Sequence, residues 1–211
     1  RKVAETNGVT CYDTFTGFKF MAEKKNQLES AGEGKVVFSY EESYGYMMGD
    51  YVRDKDAVTA CVMITEMAAY YFEQGMTLAQ ALDALYEKYG FYGERTLNLV
   101  MPGLDGLEKM RALMAQLRHE PLQEIAGTKV VRMRDYQDGS VYVMGLGKMD
   151  ITPISGSNVL YFELDDGCSF IVRPSGTEPK IKVYILGVGA TRSECDERVQ
   201  RYAQFAETLR G

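Results

Sequence analysis

The sequence predicts two units in succession: an α/β layered unit over residues 1–90, then an α+β domain over residues 91–211 whose antiparallel sheet is covered by helices. Three observations predict this. Helical three-and-four spacing alternates with short apolar runs as far as Tyr89. Beyond Phe91 short strands separated by Asp-Gly and Gly-Ser turn signals take over. One capped helix then closes the chain.

In the first unit Val3 to Gly8 reads as a helix end, Val9 to Asp13 as a strand, Gly17 to Ser30 as a helix and Val36 to Tyr40 as a short apolar strand. A longer helix from about Asp54 to Gly75 places Ala57, Ala60, Cys61, Ile64, Met67, Ala68 and Tyr71 on one stripe, which is expected to be core. Gly75 stops it. Thr77 caps a further helix through Leu78, Ala81, Leu82 and Leu85 to Tyr89, which Gly90 ends. Strand and helix in alternation imply a largely parallel sheet layered with helices.

In the second unit Arg95 to Met101 reads as a strand that Pro102 and Gly103 break, and Leu107 to Leu117 as an amphipathic helix before Pro121. Val130 to Tyr136, Ser140 to Gly145, Val159 to Leu164, Ser169 to Arg173 and Lys180 to Gly187 follow as short strands. Asp138-Gly139 and Asp166-Gly167 mark hairpins. Thr191 to Leu209 is a helix, with Thr191 and Glu194 spaced as a capping box.

Composition narrows the function. A chain of 211 residues with 45% hydrophobic content can bury real cores. Its formal charge of −6, with no basic cluster, argues against a nucleic-acid partner. Cys11, Cys61, Cys168 and Cys195 are widely spaced without a CxxC pair, so neither a disulfide framework nor a zinc site is expected. The only histidine, His119, lies in a charged stretch, which leaves no Ser-His or Cys-His arrangement. No apolar run approaches a membrane span and the N-terminus lacks a signal-peptide pattern, so no membrane partner and a cytoplasmic location are expected.

The segment Arg173-Pro174-Ser175-Gly176-Thr177-Glu178-Pro179 carries the sharpest chemistry. Arginine offers a planar fork of donors matched to phosphate oxygens, serine and threonine add hydroxyl donors, and glycine lets main-chain N–H groups turn inward. Followed by Lys180-Ile181-Lys182-Val183-Tyr184-Ile185, it resembles the phosphate-binding loop of the last domain of the phosphohexomutases, the phosphoglucomutase and phosphomannomutase family. The resemblance implies phosphate contacts from Arg173, Ser175, Gly176 and Thr177, with Lys182 where some members have arginine.

Far upstream, Tyr40-Glu41-Glu42-Ser43-Tyr44-Gly45-Tyr46, then Gly49-Asp50-Tyr51-Val52-Arg53-Asp54-Lys55-Asp56, is similar to the sugar-recognition loop of the family's third domain. A carboxylate accepts from two neighbouring sugar hydroxyls at once, so Glu41 and Ser43 are placed on the ring, with Arg53 and Lys55 beside them. Thr14-Phe15-Thr16-Gly17-Phe18-Lys19-Phe20 resembles the family loop that distinguishes the two ends of the substrate, which adds Thr16, Gly17 and Lys19. Some relatives carry a histidine shortly after the sugar-loop serine, where Gly45 and Tyr46 stand here. Lys19 and Lys55 are therefore the candidates for proton transfer or substrate contact.

The family's phosphorylated serine and its magnesium loop of aspartates have no counterpart here; Asp135, Asp138, Asp150, Asp165 and Asp166 do not recreate that spacing. With Arg1 apparently inside a βα unit, the chain reads as a C-terminal piece of a larger mutase, most of the third domain and all of the fourth, inactive by itself. For the full-length enzyme the resemblance implies a hexose phosphate substrate, Mg2+, glucose 1,6-bisphosphate, the missing N-terminal domains as partners, and two-step phosphoryl transfer through a phosphoserine. No cofactor or metal is expected on this piece alone. The expectation is that the acidic loop and the cationic loop serve one hexose ester, with glucose, mannose and pentose phosphates all open. A non-catalytic sugar-phosphate-binding module, a phosphopentomutase, or an unrelated domain with coincidental turns are the alternatives.

Overall fold

The computed structural model describes residues 1–211 except Glu42, Thr177 and Gly211. The chain divides into two compact units, Arg1–Tyr89 and Gly90–Gly211.

The first unit runs through α1 (Lys2–Thr6), α2 (Phe18–Ser30), β1 (Ser39–Tyr40), β2 (Tyr46–Met47), α3 (Ala57–Glu73) and α4 (Leu78–Tyr89). Its helix starts follow from local chemistry. Gly17, at φ +123°, turns the chain into α2 in a conformation that a side chain would resist. The Asp56 carboxylate accepts from the Val58 N–H at 2.9 Å and the Thr59 hydroxyl at 2.7 Å, which caps α3. Thr77 and Gln80 cap α4 reciprocally, each side chain accepting from the other's N–H.

Three expectations for this unit are corrected. Residues 9–13 join no ladder, and of the strand expected over 36–40 only Ser39 and Tyr40 pair. That one pairing, Ser39 with Met47 and Tyr40 with Tyr46, is antiparallel, so no parallel sheet forms among the described residues. Alternation of strand and helix signals parallel pairing only when a second strand is there to receive the crossover. The α3 stripe, expected to be core, is not buried: α3 has no buried residue, and Val58, Val62, Ile64, Met67 and Phe72 are exposed. Its apolar residues encircle the helix, so burial would need neighbours on every side, and its main neighbours within the unit are β2 and α4.

The second unit contains β3 (Phe91–Val100), α5 (Gly106–His119), β4 (Glu124–Ile125), β5 (Thr128–Asp135), β6 (Ser140–Val143), β7 (Gly147–Ile151), β8 (Leu160–Leu164), β9 (Ser169–Pro174), β10 (Lys180–Gly189) and α6 (Arg192–Thr208). All pairings are antiparallel in the order β3-β10-β9-β8-β5-β6-β7, with β4 on β5. The turns form where Asp-Gly marked them: Gly139 and Gly167 take φ +82° and +84°.

On β10, Ile181, Val183 and Ile185 are fully buried while Lys180, Lys182 and Tyr184 face the other way. Met110, Met114 and Leu117 of α5 and Val199, Tyr202, Ala203 and Ala206 of α6 join those strand residues in one core. Each such large apolar side chain contributes roughly 1.5–3 kcal/mol by leaving water. α6 lies close on β10 because Gly187 gives way: a Cβ there would stand 2.3 Å from Val199 Cγ2. This well-packed sheet is the platform on which the β9–β10 loop stands.

Candidate functional site

In the first unit the β1–β2 hairpin carries the predicted sugar-gripping residues on its tip. The Glu41 N–H donates to the Gly45 carbonyl at 3.0 Å and closes the tip, with Tyr44 at φ +65°. The Ser43 hydroxyl then reaches the Glu41 carboxylate at 3.4 Å, so the two groups lie side by side. Glu41 is half-buried and Ser43 exposed, a carboxylate acceptor and a hydroxyl available to a polyol.

Phe18 organises the surroundings. It is buried at the first turn of α2, directly after Thr16 and Gly17. A Cβ on Gly45 would meet its Cε2 at 2.7 Å, so the hairpin tip rests on the ring because residue 45 is glycine. The Lys55 ammonium lies 5.5 Å from the ring centre on the chain leading into α3. One aromatic ring thus gathers the Thr16–Gly17 turn, the hairpin tip and Lys55.

Lys19 is exposed, with its ammonium 4.7 Å from the Phe20 ring centre. Lys19 and Arg53 line an open groove of about 550 Å³ along α2, whose wall also includes Asn26 of that helix. Arg53 also approaches Glu29 at 3.9 Å.

In the second unit, β9 and β10 present the predicted phosphate residues. The register sets Arg173 directly opposite Lys182, which puts both on one face of the sheet. Lys182 in turn faces Asn98 on β3, so a guanidinium, an ammonium and an amide form a row across three strands. Neither Arg173 nor Lys182 forms an ion pair among the described residues. The third cation, Lys180, is neutralised by Glu178, whose carboxyl it holds below its usual range through a hydrogen bond.

The loop between the strands is tied at its ends. The Ser175 N–H donates to the Lys180 carbonyl at 2.9 Å, and the Met101 N–H donates to the Pro179 carbonyl at 2.8 Å. Gly176 is exposed, with no atom near where a Cβ would stand. Thr177, the remaining predicted phosphate ligand, lies outside the described residues.

Sequence reasoning passed over Phe18, which reads as an ordinary core aromatic, and Asn98, whose place in the cationic row comes from register alone. Among the described residues no three His, Cys, Asp or Glu side chains gather as a metal ion would need. A second pocket of about 450 Å³, beside Arg198 and Arg201, belongs to a structural network in which Arg198 and Arg201 surround Asp166 at 3.6 and 3.8 Å. No helix is long and apolar enough to cross a membrane among the described residues.

Both units match domains of known proteins. Residues 1–89 match the model of phosphoglucomutase/phosphomannomutase alpha/beta/alpha domain III, and residues 97–204 match that of the C-terminal domain. Phosphoglucomutases of Staphylococcus aureus, strains bovine RF122 / ET3-1 and N315, are each 37% identical over 186 residues, which covers 88% of this chain and 33% of theirs. The chain therefore spans about a third of the length of the curated relatives it matches. Among solved structures, the open form of the exocytosis-sensitive phosphoprotein pp63/parafusin, a phosphoglucomutase from Paramecium, aligns with a TM-score of 0.62 at 18% identity, covering 99% of this chain and 35% of that one. That likeness is one of fold. With both of its units matched by the family's own domains, this chain belongs to the phosphoglucomutase/phosphomannomutase family.

Proposed function

We propose that the full-length protein interconverts hexose 1-phosphate and hexose 6-phosphate, and that this chain supplies its sugar grip and its phosphate cradle. The relatives' name, phosphoglucomutase, favours glucose as the sugar. The observation that carries the proposal is the pair of like charges facing each other across β9 and β10. Cations placed directly opposite on a ladder repel. Among the described residues neither Arg173 nor Lys182 forms a close ion pair, although Lys182 acts on the Glu178 carboxylate from a distance, and a shared anion would remove the repulsion. A phosphate fits: the planar guanidinium takes two of its oxygens, the ammonium adds a point charge, and Ser175, Gly176 and Thr177 supply donors at the loop.

The division of labour follows from residue chemistry. Glu41 accepts from two adjacent ring hydroxyls and Ser43 donates or accepts beside it, so the ring is held through groups common to both phosphate isomers. Arg173 and Lys182 hold the phosphate that is not reacting. Thr16, Gly17, Lys19, Arg53 and Lys55 complete the sugar side, with Lys19 or Lys55 as proton carriers. Orientation and charge neutralisation are what these residues contribute to phosphoryl transfer. Such an enzyme also uses a magnesium ion and glucose 1,6-bisphosphate, the second of which presents the same ring hydroxyls and phosphate to Glu41, Ser43 and Arg173.

The test is a mutase assay on the full-length protein with glucose, mannose and pentose 1-phosphates, paired with calorimetric binding of glucose 1-phosphate. Arg173→Ala and Glu41→Ala are each expected to weaken binding about 10- to 100-fold, the worth of one charge-assisted contact. Unchanged binding in both variants would refute the assignment.

A further inference from the structure

Lys25 is the one charged residue on the buried face of α2. It follows Phe18 and Ala22 on that face and precedes Leu28, and only 1% of it is exposed. A buried ammonium without partners is among the costliest groups a fold can hold, so its partners reveal what it is for. Its Nζ lies 2.8 Å from Glu29 Oε1, one turn along the same helix, and 2.8 Å from Asp50 Oδ1. It also donates to the Val36 carbonyl at 3.4 Å. Asp50 lies in the segment that joins the hairpin bearing Glu41 and Ser43 to Arg53 and Lys55. The Lys25 hydrogen bond, helped by Lys35 at 3.0 Å, lowers the Asp50 carboxyl to about 2.

Phe18 and Lys25 are seven residues apart, two helical turns, and so share a face of α2. The ring of Phe18 seats the hairpin tip at Gly45. The ammonium of Lys25 holds the returning segment at Asp50. Glu29, the other carboxylate on Lys25, is the group that Arg53 approaches. Two points on one rigid helix therefore define where the whole loop lies.

We propose that Lys25 is a positioning residue for sugar recognition: it pins the Glu41–Lys55 loop to α2 through Asp50, without touching substrate itself. Lys35, with the same charge beside the same carboxylate, is solvent-exposed, and an exposed pair of that kind contributes little. Burial of Lys25 is what makes its contact directional. This inference rests on the sugar-binding assignment of Glu41.

The experiment measures KM and kcat for glucose 1-phosphate on the full-length protein carrying Lys25→Met, Asp50→Asn, Lys35→Met, Glu41→Ala, or Lys25→Met with Glu41→Ala. Lys25→Met and Asp50→Asn should each raise KM about tenfold while kcat changes less than about threefold, and Lys35→Met should stay within about twofold. In the Glu41→Ala background, Lys25→Met should add less than about threefold, because the group that it positions is already gone. A general loss of folding would instead multiply through every background. Should Lys25→Met fail to fold, Asp50→Asn decides, since Asp50 is largely exposed. Wild-type KM in folded Asp50→Asn, or full multiplication in the double variant, overturns the positioning role. An unchanged KM in Glu41→Ala overturns instead the functional reading beneath it.

Discussion

Gly45→Ala tests the link between the hairpin tip and the α2 start with one methyl group. Gly45 is not among the residues at positive φ, so alanine suits the backbone and its effect is steric. The new Cβ would stand 2.7 Å from Phe18 Cε2 and 3.3 Å from Glu41 Oε2. Restoring an ordinary 3.4 Å contact with the ring requires about 0.7 Å of movement. Phe18 is 4% exposed and has no open side to retreat into, so the tip moves and takes the Glu41 carboxylate with it. Overpacking of this kind costs about 1–3 kcal/mol, and a misplacement approaching 1 Å in a binding group lowers turnover efficiency up to about 100-fold. Steady-state kinetics on the full-length protein should therefore show kcat/KM for glucose 1-phosphate lowered about 10- to 100-fold. Phe18→Leu in the same chain, which removes the edge of the ring, should recover part of the loss. Wild-type kcat/KM in Gly45→Ala would refute the claim that the tip rests on Phe18.

Three further outcomes concern the second unit and the thiols. Tyr202→Phe removes a buried hydroxyl that bonds Asp166 and, at 2.8 Å, Thr128; it should cost about 1–3 kcal/mol in denaturant titration. Burial raises the Asp166 carboxyl, but hydrogen bonds from Tyr202 and the Cys168 N–H outweigh this and lower it. Its stabilisation is thus present above the unfolded value near 3.9 and lost as pH falls through the lower folded value, so the Tyr202→Phe penalty should shrink below about pH 4. Gly187→Ala should lower stability by about 1–3 kcal/mol through its 2.3 Å clash with Val199, and Val199→Ala should relieve that clash; additive losses in the double variant would contradict it. Cys168 is buried and its thiol is pushed up to about 11, whereas Cys61 is exposed, so thiol titration at pH 8 should modify Cys61 first and reach Cys168 only on unfolding.

Where side chains sign an element's ends, the sequence was readable. α2, α4 and α6 start within a residue or two of Gly17, Thr77 and Thr191, because glycine conformation and capping bonds act over three or four residues and leave a local trace. β7 left no trace: all five of its residues are exposed, so no alternation betrays a buried face. The parallel sheet expected for the first unit failed for a related reason, since hydrophobic pattern reports what a segment can bury and not which strand it will meet. The α3 stripe shows the same gap from the other side, as spacing records a demand for burial that the neighbours in this unit do not meet.

The site residues divide along the same line. Glu41, Ser43 and the Arg173 loop stood out because their side chains carry chemistry within a short stretch of sequence. Lys25 did not, because Glu23-Lys24-Lys25 reads as a solvated charge run. A sharper signal was there: residue 25 stands at helical spacing from Phe18, Ala22 and Leu28, where a lysine is out of place unless something anionic comes to meet it. Asp50 is that group, and only the fold brings it across 25 residues of sequence. Register does the same for Lys182, since an alternating Lys-Ile-Lys-Val strand reads as one wet face and one dry face until its partner is known. A one-residue slip of β10 would turn Lys182 toward the core and Ile181 toward Arg173. The fully buried Ile181, Val183 and Ile185 forbid that slip, so the packing on the dry face of β10 is what sets the two cations opposite each other on the wet one.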